Sequence, residues 1–258
     1  MRPLIFVTND DGIEAPGVFC LIDRLLPMGD VICVCPDSPR SAQSMALTVN
    51  APLRIERVED YHGAKMYKTN GTPVDCVKLG MHTVVDRKPS LLASGINHGS
   101  NASINVLYSG TMGAAMEGCA FGIPSVGFSL TDHSMQADFS PCLPFVDRIS
   151  EGVLREGLPE SICLNVNIPH FGPAPTEMRL VKAAKGNWSD EYKEYTDPNG
   201  KKFYWLTGTF SNYEPDNEVT DQWCLSNGIV SVVAVSLDRT ATEFHIPGWL
   251  PNGKSSVF

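Results

Sequence analysis

Residues 4–36 read LIFVTNDDGIEAPGVFCLIDRLLPMGDVICVCP. A short apolar run, Leu4 to Val7, ends in Thr8-Asn9-Asp10-Asp11-Gly12. A helical pattern follows through Val18, Leu21, Ile22 and Leu25, and then a second apolar run, Val31 to Cys35. The order is strand, polar loop, helix, strand. Both runs are continuously apolar rather than alternating, so both strands are expected to be covered on two faces, with the helix as the crossover between parallel neighbours. The same alternation continues: a helix over Val74–Val85, a strand over Leu91–Ser94, a helix from Thr111 to Phe121 and a strand over Ser125–Leu130. A helix over Pro144–Arg155 and a strand over Ile162–Val166 complete the unit. The fold class expected is α/β, a parallel sheet core flanked by helices.

Two stretches depart from this rhythm. Ala46 to Val58 alternates in hydropathy around Pro52 and reads as a two-stranded excursion at an edge. After Pro169 the chain is punctuated by Pro173, Pro175, Pro198, Gly200 and Pro215 between segments holding Trp188, Tyr192, Tyr195, Tyr204, Trp205 and Trp223. It is too poor in periodic apolar residues to fold alone, and reads either as a surface hairpin arm or as an aromatic subunit contact. The run Ile229–Leu237 reads as a last strand. Residues 1–170 are therefore expected to form the core, and 171–258 an arm and closing strand of the same unit.

Composition excludes several function classes. With 20 Lys plus Arg against 29 Asp plus Glu, the formal net charge is −9, and no block of basic residues offers a face to a nucleic-acid duplex. An acidic protein that takes an anionic ligand needs local positive potential, from a metal or from aimed backbone N–H groups. The 8 cysteines contain no CxxC pair and the 6 histidines no HxH or HExxH spacing, which argues against a soft-ligand zinc site and for buried thiols in a reducing compartment. Two aspartates interrupt the amino terminus before any apolar stretch of signal length, and no apolar run reaches about 18 residues. The expectation is a soluble, cytoplasmic protein with no membrane partner.

In an open parallel sheet, ligands bind beyond the carboxyl ends of the strands. Three loops there share one chemistry: Thr8-Asn9-Asp10-Asp11-Gly12, Pro36-Asp37-Ser38-Pro39-Arg40-Ser41, and Ser94-Gly95-Ile96-Asn97-His98-Gly99-Ser100-Asn101. Adjacent carboxylates at the end of a buried strand repel and lose hydration, so Asp10 and Asp11 call for a cation, a proton or several N–H donors. Oxygen donors without His or Cys favour magnesium, manganese or calcium. Alternatively one aspartate caps the following helix while the other is solvated. Asn97 and Asn101 lie among glycines, where Asn is also an ordinary turn residue. Tyr108-Ser109-Gly110-Thr111-Met112-Gly113 opens a helix whose free N–H groups suit a phosphate, and Ser109 or Thr111 serves equally as a plain N-cap. Gly248 to Ser255 satisfies GxxxxGK[ST] but has only three residues after it, too few for the required helix, and is rejected as a phosphate loop.

VTNDDGIEAPG at 7–17, PDSPRSAQS at 36–44, NGTPVDCVKLG at 70–80, SGINHGSN at 94–101 and YSGTMGAAMEG at 108–118 together resemble the SurE family of stationary-phase survival proteins. The resemblance implies a Rossmann-like core with a protruding carboxy-terminal hairpin arm that makes homodimers and homotetramers. It also implies a metal-dependent 5'-nucleotidase, with 3'-nucleotidase and exopolyphosphatase activity in some members, acting on nucleoside monophosphates. Carried over by position, one divalent ion per subunit (Mg or Mn, with Ca a possible occupant in a crystal) is held by Asp10, Asp11, Ser41 and Asn97, with Asp10 and Asp11 catalytic. Phosphate contacts fall on Asn9, Asn101, Ser109, Gly110 and Thr111.

There are two departures from the family pattern. Ala42 follows Ser41 where relatives often carry Gly, and the last strand lacks the Pro that commonly follows its Thr. The His often found beyond that strand has no counterpart on spacing, His245 included, so no carboxy-terminal general acid is carried over. A different class of reading makes the chain a metal- and nucleotide-binding sensor with little turnover, because binding and hydrolysis use most of the same residues. Base-contacting groups are expected in variable loops around Ser38, Pro39 and the excursion after Ser44.

Overall fold

A computed structural model describes residues 2–134 and 136–240. His245 and the Gly248–Ser255 pattern lie outside the described residues. The strands are β1 (Leu4–Thr8), β2 (Asp30–Pro36), β3 (Ile55–Arg57), β4 (Lys65–Thr69), β5 (Leu91–His98), β6 (Ser125–Leu130) and β7 (Ile162–Ile168), then β8 (Met178–Val181), β9 (Gly186–Ser189), β10 (Tyr192–Thr196), β11 (Lys202–Leu206), β12 (Thr209–Asn212) and β13 (Val230–Ser236). The helices are α1 (Pro16–Leu25), α2 (Pro73–Thr83), α3 (Gly110–Ala120), α4 (Leu143–Glu156) and α5 (Asp221–Ser226).

Nine strands form one sheet in the order β3-β4-β2-β1-β5-β6-β7-β13-β8. The six from β4 to β7 are parallel. Taken in chain order, those six run 3-2-1-4-5-6, the doubly wound arrangement in which successive crossovers diverge from a switch point between β1 and β5. The α/β expectation holds. Alternate residues of β1 enter opposite layers: Ile5 and Val7 pack with Val18, Leu21 and Ile22 of α1 and Phe145 and Val146 of α4. Leu4 and Phe6 pack with Cys76 and Val77 of α2 and Ala114 of α3. Both faces are covered, and for that reason these strands read as unbroken apolar runs.

Local chemistry sets the helix starts. Pro16 occupies the first turn of α1, where its missing N–H costs nothing. The start of α2 is a capping box: Thr72 Oγ1 accepts from Asp75 N at 3.1 Å and Asp75 Oδ2 accepts from Thr72 N at 2.9 Å. The same Thr72 hydroxyl donates to the Ala46 carbonyl at 2.7 Å, tying the long loop after β2 to this helix. α3, of sequence GTMGAAMEGCA, is buried all round except at its last residue, so it shows no amphipathic stripe; its small residues let it lie close against sheet and α2 alike.

Two expectations are corrected and one is made more specific. The excursion after β2 carries one strand, β3, and its partner is Lys65–Thr69, beyond the stretch singled out from sequence; the pair joins the main sheet because β4 lies parallel to β2. The expected last strand is present as β13, and it runs antiparallel to β7. The aromatic segment also contributes β8, which pairs with β13, and α5, neither of which its composition announced. Between them β9–β12 form two antiparallel ladders, and every residue of the outer one, β10/β11, is exposed. Among the described residues no helix is long and apolar enough to cross a membrane.

Replacing Thr72 with Ala removes both the cap and the Ala46 bond. A loss of about 1–2 kcal/mol is expected, read as a lower urea midpoint with an unchanged slope.

Candidate active site

The loop after β1 is closed by a single side chain. Asn9 Nδ2 donates to the Gly12 carbonyl at 2.8 Å, and Gly12 N donates back to Asn9 Oδ1 at 3.2 Å. Gly12 has φ +101°, a left-handed conformation that glycine adopts without strain. Asp10 and Asp11 sit at the apex of this closed turn. The loop after β2 is stitched to it: Ile13 N donates to the Pro36 carbonyl at 2.9 Å and Arg40 N to the Asp10 carbonyl at 2.7 Å. Ser41 follows directly. The next residue, Ala42, has φ +59°, a left-handed backbone that glycine adopts more easily than alanine.

From the other side of the switch point, β5 ends in Asn97 and His98. Asn97 Nδ2 donates to the Gly99 carbonyl at 2.9 Å, which turns the amide so that its Oδ1 has no donor among the described residues. His98 approaches Asp11 Oδ2 through both its backbone N–H and Nδ1, each at 3.2 Å. Asp10, Asp11, Ser41 and Asn97 thus line one cleft of about 630 Å³.

The start of α3 closes the floor. Thr111 Oγ1 donates to Asp10 Oδ1 at 2.5 Å. A Cβ on Gly110 would stand 2.8 Å from Asp10 Cβ, so the helix reaches the carboxylate only because residue 110 has no side chain. Ser109 is the N-cap, its Oγ accepting from Met112 N at 3.0 Å, which leaves its own hydroxyl proton free. Tyr108 and Ser109, at the N-terminal, positive-dipole end of α3, line the cleft.

Asp10 is buried at 6% exposure with a like charge next to it and, among the described residues, no lysine or arginine lining the cleft. Burial first, and the Asp11 charge second, push the Asp10 carboxyl up to about 6, against the lowering pull of the Thr111 hydroxyl. Two carboxylates, an amide oxygen and a hydroxyl form an all-oxygen set with uncompensated negative charge, which is the donor chemistry of a hard divalent ion.

Residues 5–190 match the family model described as Survival protein SurE. The chain belongs to the SurE family. It is 48% identical over 240 residues, 93% of each chain, to the 5'-nucleotidase SurE of Phocaeicola vulgatus. It is 47% identical to the protein of that name from Bacteroides fragilis, over 94% of this chain and 95% of that one. The crystal structure of the SurE protein from Aquifex aeolicus superposes with a TM-score of 0.79 at 35% identity, covering 92% of this chain and 95% of that one.

This SurE-family chain does not use its singled-out residues alike. The structure brings Asp10, Asp11, Ser41, Asn97, Asn101 and Ser109 to one cleft. The Asn9 amide is closed on Gly12, so it shapes the loop, and the Thr111 hydroxyl is committed to Asp10. Asn101 stands in a buried polar frame that sequence reading missed. Its N–H donates to Asn167 Oδ1, its carbonyl accepts from Asn165 Nδ2, and its own Nδ2 donates to Ser129 Oγ, all at 2.8 Å. Asn167 Nδ2 donates in turn to Asn165 Oδ1 at 2.9 Å. One amide hydrogen of Asn101 is left over for a ligand. The signal was present in the NVN of β7, where amides recur at alternate positions of an otherwise apolar strand. His98 was also passed over; the signal for it was its place directly after Asn97.

The Asp10 shift makes a prediction about metal-free protein. Its folded value of about 6 lies above the reference 3.8, so between these values the folded chain holds a proton that the unfolded chain has released. Stability is full below about pH 4 and falls as pH rises through about 6, by about 3 kcal/mol in all. Asp10→Asn keeps the Thr111 bond and is expected to abolish that slope in urea unfolding of chelator-treated protein, leaving the variant the more stable at pH 7.5.

Proposed function

We propose that this SurE-family chain is a metal-dependent 5'-nucleotidase that hydrolyses nucleoside monophosphates to nucleoside and phosphate. The observation that carries the reading is the buried Asp10 carboxylate, paired with Asp11 at the switch point and set directly against the N-terminus of α3 at one end of the cleft. The names of the relatives support the substrate class. Asp10, Asp11, Ser41 and Asn97 would hold one divalent ion, magnesium or manganese. When bound, such an ion supplies neutralisation of phosphoryl charge and acidity to a water nucleophile.

The chain's own residues do the rest. The N–H of Gly110, the free hydroxyl proton of Ser109 and the spare amide hydrogen of Asn101 would donate to the phosphoryl oxygens, replacing the arginines that a basic site would use, while the Thr111 N–H and hydroxyl stay on Asp10. These donors are fixed in advance: Ser109 by capping α3, Asn101 by its frame of Asn165, Asn167 and Ser129. The free oxygens of Asp10 and Asp11 orient the attacking water. His98 would fix Asp11 through its contacts to Oδ2, leaving Oδ1 for that role.

Phosphate release measured on a panel of nucleoside 5'- and 3'-monophosphates and short polyphosphate is expected to depend on added divalent ion and to stop with chelator. Asp10→Ala and Asn97→Ala are each expected to lower turnover on the order of 10²–10³-fold with the fold retained by circular dichroism. A wild type that binds metal and nucleotide yet releases no phosphate would replace this reading with the sensor module.

The outer ladder supports a second part of the proposal, that subunits associate through it. Tyr192, Tyr204 and Trp205 are 70%, 57% and 63% exposed, an apolar display that interfaces favour. Sedimentation of wild type is expected to give a dimer or tetramer, and replacement of all three by Ser to shift the mass toward the monomer. An unchanged mass would remove the ladder from the contact.

A further inference from the structure

The cleft that begins at Asp10 does not end with the phosphate-binding groups. Its far side is walled by rings and apolar chains from three separate parts of the fold: Tyr108 before α3, Phe171 after β7, and Trp188, Leu206 and Phe210 from the hairpin ladders. The loops around Ser38, Pro39 and the excursion after Ser44, where base-contacting groups are expected from the sequence, do not line this cleft. We propose that this wall is the seat of the nucleobase, so that the inner ladder of the hairpin selects substrate. The proposal rests on the 5'-nucleotidase reading and adds the part of the substrate that the carboxylate end does not touch.

The wall is built for a flat, uncharged partner. Trp188 and Phe210 are a cross-strand pair of β9 and β12, with ring centroids 5.7 Å apart at 62°. The indole Nε1 donates to Asn105 Oδ1 at 2.8 Å, which satisfies the ring's polar handle and holds the ring in place. Lining the same cleft are side chains left largely to water: Phe171 is 73% exposed, Leu206 62% and Tyr108 51%. Large apolar groups exposed at the rim of a polar cleft mark a ligand surface. Stacking on such rings accepts any base, since every base has a π-face. At the start of α5, Gln222 also lines the cleft, and its side-chain amide has no partner among the described residues. An amide carries donor and acceptor together and can meet the edge of a purine or a pyrimidine. The result is tolerance among bases with a requirement that a base be present.

The test compares adenosine 5'-monophosphate with ribose 5-phosphate, which keeps the phosphoryl group and the sugar and lacks the base. In Phe171→Ala, an exposed position whose loss does not threaten the fold, KM for the nucleotide is expected to rise about tenfold. KM for ribose 5-phosphate should stay within about twofold of wild type, as should kcat for both. Trp188→Leu and Gln222→Ala are expected to move the same ratio in the same direction. An unchanged nucleotide KM in all three, or an equal rise for both substrates, overturns the seat. Calorimetric titration with the same two compounds separates this result from the fate of the enzymatic reading. Wild type that binds the nucleotide at least tenfold tighter than ribose 5-phosphate, with the preference lost in Phe171→Ala, supports the seat even without turnover. Equal binding of the two by wild type removes it.

Discussion

Two adjacent carboxylates at the carboxyl end of the central strand, one of them almost fully buried, set the terms for everything around them. Burial and mutual repulsion disfavour the charged pair, and the surrounding protein holds it without neutralising it. The Thr111 hydroxyl fixes one oxygen of Asp10, the Arg40 N–H fixes its main chain, and the bare Cα of Gly110 makes room for both. Each contact positions; none brings positive charge. The site is therefore costly in the metal-free protein, an expense that functional sites carry and the rest of the fold offsets.

The doubly wound order explains why these groups meet. Crossovers leave β1 and β5 in opposite directions, so the loops that follow the two strands flank the crevice at the switch point. Asp10 and Asp11 come from one, Asn97 and His98 from the other. Into the crevice between them points the start of α3, a helix whose small residues allow it to sit deep enough to present N–H groups at the carboxylates. Behind it the Asn165–Asn167–Ser129 frame locks Asn101. A satisfied buried network of this kind gains rigidity from low dielectric, and rigidity is what a set of anion donors needs.

The sequence made much of the site legible, for a physical reason. Loops at strand ends carry their chemistry in short contiguous runs, so Asp10, Asp11, Ser41, Asn97, Asn101 and Ser109 could be picked out without knowing what faced what. Asn165 and Asn167 escaped notice because an amide in a strand acquires meaning only from the residue across the sheet. The aromatic segment was read for its exposure, and part of it is exposed in β10 and β11. The inner rings face the cleft because β9 and β12 bring Trp188 beside Asn105, a contact spanning 83 residues of chain.

By itself the sequence determined the α/β class, most of the order of helices and strands and the oxygen-rich character of the strand-end loops. Apolar runs and periodicity are local consequences of which faces are buried. Only the tertiary structure decided that β4 joins the sheet beside β2, that β13 runs against β7, and that β8 and α5 exist at all. Strands this short are stabilised by the neighbour they pair with rather than by their own composition, and the neighbour is far away in the chain. The tertiary structure likewise divided the work among the site residues. Asn9 became a loop clamp and Thr111 a support for Asp10, because a side chain's role follows from the one partner it can reach.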